Sequence, residues 1–95
     1  MVNMLNLLKF IIMKKVFVVV SHAICDYEDC GIGTIVCSSK DKALKHFRSI
    51  VDGEKRAIDE DEWVVEEDED SFCAYIDGEY SANMTMCEIR EEKIE

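Results

Sequence analysis

Runs of apolar residues along the chain predict five strands and one helix. Val16 to Val20 is an unbroken β-branched and aromatic run, which is typical of a central strand buried on both faces. Thr34 to Cys37 predicts a second strand, after a loop or long turn at residues 22–33 that is marked by Asp and Gly. Three further apolar or alternating runs predict strands at residues 62–67, 71–76 and 84–94.

The segment 40–52 predicts an amphipathic helix. Ser38 or Ser39 is suited to cap its N-terminus, and Gly53 offers a left-handed stop. One apolar stripe follows the helical spacing, made of Ala43, Leu44, Phe47, Ile50 and Val51. The element order is therefore β-β-α-β-β-β, and we expect an α+β fold with one helix packed on one face of a small, mostly antiparallel sheet.

The N-terminal segment is apolar but does not have the pattern of a membrane-spanning helix. Lys9, Lys14 and Lys15 interrupt it, and no uncharged run approaches the roughly 20 residues that a spanning helix needs. Met13 is a plausible start of the protein, so we expect residues 1–12 to be an upstream extension that can form a short extra helix. Residues 13–95 then form one small domain, because 95 residues are too few for two.

The charge of the chain says more about its function than its overall composition does. The chain has 11 basic and 21 acidic residues and a net charge of −10, which argues against direct nucleic-acid binding, since that needs clustered Lys and Arg. Nine of the acids fall within residues 59–70. This run is a solvated, solubilising segment, a surface for a basic partner, or a loose cation-binding site. The candidate contact residues are Asp59, Glu60, Asp61, Glu62, Glu66, Glu67, Asp68, Glu69 and Asp70, with Tyr80 in a neighbouring turn.

The five cysteines are odd in number and include no C-x-x-C pair. Both features fit poorly with a secreted disulfide framework, so we expect a cytoplasmic protein with reduced thiols. His22, Cys25 and Cys30 could bind zinc as an alternative. Their spacing differs from the close ligand pairs of structural zinc sites, and the leading expectation is that no metal and no cofactor is bound.

Several short motifs resemble a class of uncharacterised proteins from bacteriophages and bacterial mobile elements. The shared features are a valine-rich first strand from Lys15 to Val20, Asp26-Tyr27 in the first loop, and a helix that begins Ser38-Ser-Lys-Asp-Lys-Ala43, with Phe47 one turn later. A closing strand, Cys87 to Glu91, completes the resemblance, which covers residues 13–91. It implies a small α+β fold and no known activity.

These observations favour a non-enzymatic interaction protein that meets an unknown basic partner with an acidic hairpin. One alternative is a nucleic-acid mimic that inhibits a DNA-binding protein, and another is the zinc-binding module. No membrane association is expected. A homodimer is possible, built through edge strands or by the acidic hairpin against the basic helix of a second copy.

Overall fold

A computed structural model describes residues 15–59, 61–76 and 82–94 of the chain. Five antiparallel strands form one sheet in the order β2-β1-β5-β4-β3, so the α+β expectation is confirmed. The proposed extension at residues 1–12 and its short helix lie outside the described residues. The elements are β1 (Lys15–Cys25), β2 (Glu28–Cys37), α1 (Lys40–Ala57), β3 (Trp63–Glu67), β4 (Ser71–Ile76) and β5 (Met84–Lys93).

The first hairpin is much longer than the sequence predicted. Most of the expected loop at 22–33 belongs to β1 and β2, and only Asp26 and Tyr27 connect them. Both connecting residues have positive φ, 50° and 68°, as a two-residue hairpin turn of the I′ type requires. The loop prediction is wrong because Gly31 and Gly33, taken as turn signals, occupy paired strand positions opposite Ala23 and Ser21.

Helix α1 begins as predicted but ends five residues later, at Ala57. The Ser39 side chain accepts a hydrogen bond from the backbone N–H of Lys42 at 3.3 Å, which confirms the N-cap. Gly53 does not end the helix, since glycine inside a helix costs only about 1 kcal/mol and the next four residues are good helix formers. The helix ends where the Ile58 backbone N–H donates to the Glu54 carbonyl.

The core lies between α1 and one face of the sheet. Ala43, Phe47 and Val51 are buried, whereas Leu44 and Ile50, the other predicted stripe residues, are half-buried. The fully buried seam is thus narrower than predicted and follows the positions i, i+4 and i+8, while Ile50 packs against its margin. Their cluster is completed by Val19, Cys37, Phe72, Ala74 and Cys87.

The opposite face of the sheet carries no helix among the described residues. β1 is central, between β2 and β5, as predicted, but Val18 and Val20, on the face away from α1, are only half-buried. The expectation of burial on both faces is therefore wrong, since one described helix covers only one face of the sheet. In the described part of the chain, no helix combines the length and the apolar character needed to cross a membrane.

Candidate interaction surface

Strand β3 divides the acidic run into two groups at opposite ends of the strand. Asp59, Asp61 and Glu62 precede β3, and Glu66 to Asp70 occupy its end and the turn into β4. Glu60 and Tyr80, two of the predicted contact residues, lie outside the described ranges. Because β3 is a sheet edge, the predicted single acidic hairpin becomes two separate acidic ends of one edge strand.

The second group, Glu66–Asp70, is the denser one, and we call it the acidic hairpin end. All five residues are exposed. The backbone N–H of Asp68 donates to the Ser71 carbonyl at 2.8 Å, and the Ile89 N–H donates to the Asp70 carbonyl at 2.9 Å. Two backbone bonds therefore hold the turn against β4 and β5, so five neighbouring carboxyl groups project from a fixed backbone.

Helix α1 neutralises part of this group. Lys55, in the last turn of α1, forms an ion pair with Glu67 of β3. Among the residues that the structure describes, Lys55 is the one cation paired with the acidic hairpin end. The pair links the helix to the edge strand and leaves Glu66, Asp68, Glu69 and Asp70 to set the local charge.

A shallow hollow of about 230 Å³ adjoins the acidic hairpin end on the face of the sheet away from α1. Glu66, Asp68 and Glu88 supply its carboxylates, while Cys73 and Met86 are among its apolar residues. The Tyr75 hydroxyl donates to Glu66 Oε1 at 3.4 Å, and the Arg90 Nε donates to Glu88 Oε1 at 2.7 Å. A cationic side chain from a partner would find acidic oxygens and an apolar floor here.

The first acidic group forms a small local turn of its own. The Asp59 side chain accepts a hydrogen bond from the Asp61 backbone N–H at 3.0 Å. Its backbone carbonyl accepts from the N–H groups of Glu62 and Trp63, both at 3.0 Å. Asp59 thus connects the end of α1 to the start of β3, and this local turn explains its placement without a partner.

Basic residues gather on a different part of the molecule, the outward side of α1. Lys40, Lys42, Lys45 and Arg48 are all exposed on the first half of the helix. The helix starts at the end of β2, and the acidic hairpin end lies at β3, the other edge of the sheet. Tertiary folding therefore converts the charge asymmetry of the sequence into two separate surfaces of opposite sign.

The cysteines of the zinc alternative are bonded to each other. Cys25 and Cys30 form a disulfide with a Cα–Cα distance of 5.9 Å, within the range that disulfides require. The expectation of five reduced thiols is wrong for this pair, because the two-residue turn brings together cysteines that a loop would have kept apart. Cys37, Cys73 and Cys87 lie outside this disulfide as thiols, with Cys37 and Cys87 buried and Cys73 half-buried.

His22, the third candidate zinc ligand, lies next to a carboxylate. Its Nε2 lies 2.7 Å from Asp29 Oδ1 on the adjacent strand. Within the described ranges, no group of three or more His, Cys, Asp or Glu side chains could hold a metal ion. Since disulfide sulfurs are not thiolate ligands, the zinc alternative now applies only to the reduced protein.

Tyr27, one of the two residues of the first turn, is an exposed aromatic residue. Its side chain is 79 % exposed, and its backbone N–H donates to the Ala82 carbonyl at 3.0 Å. The adjacent Asp26 N–H donates to the Asn83 side chain at 3.2 Å. The sequence signal for this turn was that Asp26-Tyr27 lies between two segments in which polar and apolar residues alternate as in strands. No glycine marks the turn.

Comparison with known proteins adds no relative from which function could be transferred. No protein-family model matches the chain, and no curated protein or solved structure is similar to it. The phage and mobile-element resemblance therefore stays a prediction, and function must be argued from the surfaces of the molecule itself.

Proposed function

We propose that this chain is a non-catalytic protein-binding domain that presents the acidic hairpin end to a basic surface of a partner protein. The observation that carries the proposal is the group of five exposed carboxyl residues, Glu66–Asp70, on a turn held by two backbone hydrogen bonds. A fixed array of like charges steers a basic partner and selects its orientation.

The local geometry supports binding over a purely solubilising role. Solubility requires only that charges be spread over the surface, whereas here four carboxylates lie within five residues around a single ion pair, Lys55–Glu67. Such crowding is unfavourable at low salt because like charges repel. A basic partner would relieve this repulsion, and the adjoining hollow offers its side chains an apolar floor.

A charge-neutralised variant tests the proposal. We would replace Glu66 and Glu69 by Gln, and Asp68 and Asp70 by Asn, leaving Glu67 in its ion pair. The matched control neutralises four exposed carboxylates outside the acidic run, at Asp26, Asp41, Asp52 and Glu92. Both variants change the net charge by the same amount, so a difference between them reports on position rather than on total charge.

Affinity capture with the wild-type protein as bait, from the cells that make it, would isolate the partner, and mass spectrometry would identify it. The proposal expects the hairpin variant to lose that protein and the control variant to retain it. Stopped-flow association of the purified pair should then be slower for the hairpin variant, with a flatter salt dependence. Equal capture and an unchanged association rate would refute the proposal and leave solubility as the role of the acidic group.

A further inference from the structure

Strand β2 is an edge of the sheet, and no other strand among the described residues pairs with its outer side. It has ten residues and pairs only with β1 among the described strands. Natural edge strands are usually kept short or interrupted by charge, proline or a bulge. A bulge leaves Cys30 without a residue opposite it, but the next seven residues, Gly31–Cys37, are regularly paired and carry no charge and no proline.

The other edge of the sheet is protected in the ways that β2 lacks. β3 has only five residues, and two of them, Glu66 and Glu67, are acidic. The contrast also appears in exposed apolar side chains. Ile32 is 72 % exposed and Val36 64 % exposed, and both lie on β2, on the face of the sheet away from α1. Such a strand offers unpaired backbone groups and apolar side chains along one line.

We propose that β2 is the interface of a homodimer, in which the β2 strands of two copies pair antiparallel around a two-fold axis at Thr34. This inference concerns a different edge from the acidic hairpin end and does not depend on it. An axis at Thr34 sets Ile32 of each copy opposite Val36 of the other, and Thr34 opposite Thr34. Pairs of β-branched residues directly opposite each other stabilise antiparallel sheets.

Charge complementarity favours a second copy as the occupant of this edge. β2 begins with Glu28 and Asp29, which are exposed, and its end leads into α1 with exposed Lys40 and Lys42. Antiparallel pairing brings the acidic start of one β2 beside the basic start of the other copy's helix, whose positive end adds to the attraction. An open hollow of about 510 Å³ beside the end of β2, lined in part by Lys42, Lys45 and His46, leaves room for the incoming chain.

The sheet order keeps the strongest repulsion away from this interface. The acidic hairpin end is at β3, four strands from β2, or about 19 Å at the usual strand spacing. Pairing through β2 would make a continuous ten-stranded sheet with one acidic hairpin end at each far edge. The net charge of −10 per chain would therefore be spread over the ends of the dimer.

Analytical ultracentrifugation of the full chain over a concentration series tests the proposal. We expect a mass of twice the 10.9 kDa chain. Two double variants, Ile32→Glu with Val36→Glu and Ile32→Lys with Val36→Lys, should each dimerise at least about tenfold more weakly, which corresponds to 1.4 kcal/mol. An equimolar mixture of the two should recover the dimer, because each acidic residue then meets a basic one.

One further measurement and one further variant keep the test independent of folding. Circular dichroism checks that each variant retains its secondary structure, and Thr34→Lys offers a single exposed change that places two like charges at the axis. Ile94→Lys, at an exposed apolar residue after β5, is the control and should leave the dimer unchanged. Should a double variant fail to fold, Thr34→Lys alone decides whether the dimer depends on β2.

Four results would overturn the inference. The first is a wild-type protein that stays at 10.9 kDa at every concentration. The second is a dimer that the β2 variants do not weaken. The third is a mixture of acidic and basic variants that does not combine, which would exclude an axis at Thr34. The fourth is a dimer that forms only after deletion of residues 1–12, which would assign this edge to the chain's own N-terminal segment.

Discussion

Gly33 and Ser21 lie directly opposite each other on β2 and β1, and the Ser21 hydroxyl occupies the space where a Gly33 side chain would be. A Cβ atom on Gly33 would lie 2.7 Å from Ser21 Oγ, closer than van der Waals contact allows. Any side chain at position 33 would thus force the Ser21 side chain to shift, so close approach across the hairpin, not a turn, favours glycine here. The same relationship explains why a glycine that suggests a loop in the sequence lies in a regular strand.

Gly33→Ala should lower the free energy of unfolding by about 1–3 kcal/mol, the usual cost of adding a group to a filled site. Gly31→Ala is the matched control on the same strand, because its Cβ would lie 3.9 Å from the Ala23 Cβ, an ordinary contact. Urea denaturation of both variants measures the difference. Combining Gly33→Ala with Ser21→Ala should restore much of the loss, and a Gly33→Ala variant as stable as Gly31→Ala would contradict the close-contact argument.

Phe47→Ala should destabilise the protein by about 3–5 kcal/mol, because it leaves a large cavity in the core. Phe47 is 2 % exposed and packs within the cluster that joins α1 to the sheet. His46→Ala, at the exposed neighbouring position, should change stability by less than about 0.5 kcal/mol. Thermal or urea unfolding gives both values, and a loss below about 1 kcal/mol for Phe47→Ala would show that α1 does not pack as described.

Alkaline pH should destabilise the protein through Cys87. Burial, with smaller contributions from Glu54 and Glu88, raises the pKa of this thiol from 9.0 to about 11. The unfolded chain then loses the proton first, so the stabilising contribution of Cys87 is complete below about pH 9 and disappears as the pH rises toward 11. Unfolding free energies measured across this range should fall more steeply for wild type than for Cys87→Ala, and equal slopes would exclude the effect.

The Cys25–Cys30 bond should be detectable and modestly stabilising. Alkylation after unfolding without reductant should modify three cysteines, since Cys37, Cys73 and Cys87 are not part of the disulfide, and reduction should expose two more. Cys25→Ala, Cys30→Ala and the double variant should lose the same stability, about 2 kcal/mol for so short a loop. Five modified thiols before reduction would restore the expectation of reduced cysteines, and metal analysis of that reduced protein would test the zinc alternative.

Local sequence patterns were sufficient for the elements that build the core. The cap at Ser39, the apolar spacing through Phe47 and Val51, and the valine run of β1 each depend on residues close together in the chain. Helix start, strand count, element order and the central position of β1 were accordingly predicted. The strong acidity of residues 59–70 was also evident, because charge can be counted without knowing which residues become neighbours.

Other features depended on pairing between distant residues, which one sequence does not display. The extent of the first hairpin, and with it the Cys25–Cys30 bond, follows from the register of β1 against β2, in which small and polar residues carry no hydrophobic signal. The helix end was missed because the four residues after Gly53 outweigh one poor helix former. These errors arose where backbone hydrogen bonding, rather than apolar spacing, sets the structure.

The sequence by itself determined that this chain forms one helix and five strands, with an apolar seam on the helix and a strongly acidic second half, because periodicity and charge are local properties. Only the tertiary structure decided which strands form the edges of the sheet and which distant residues become neighbours. Sheet order placed β2 and β3 at opposite edges, left the outer side of β2 unpaired within the described ranges, and divided the acidic run between the two ends of β3. Those outcomes arise from strand pairing across the whole chain, and both proposed interfaces depend on them.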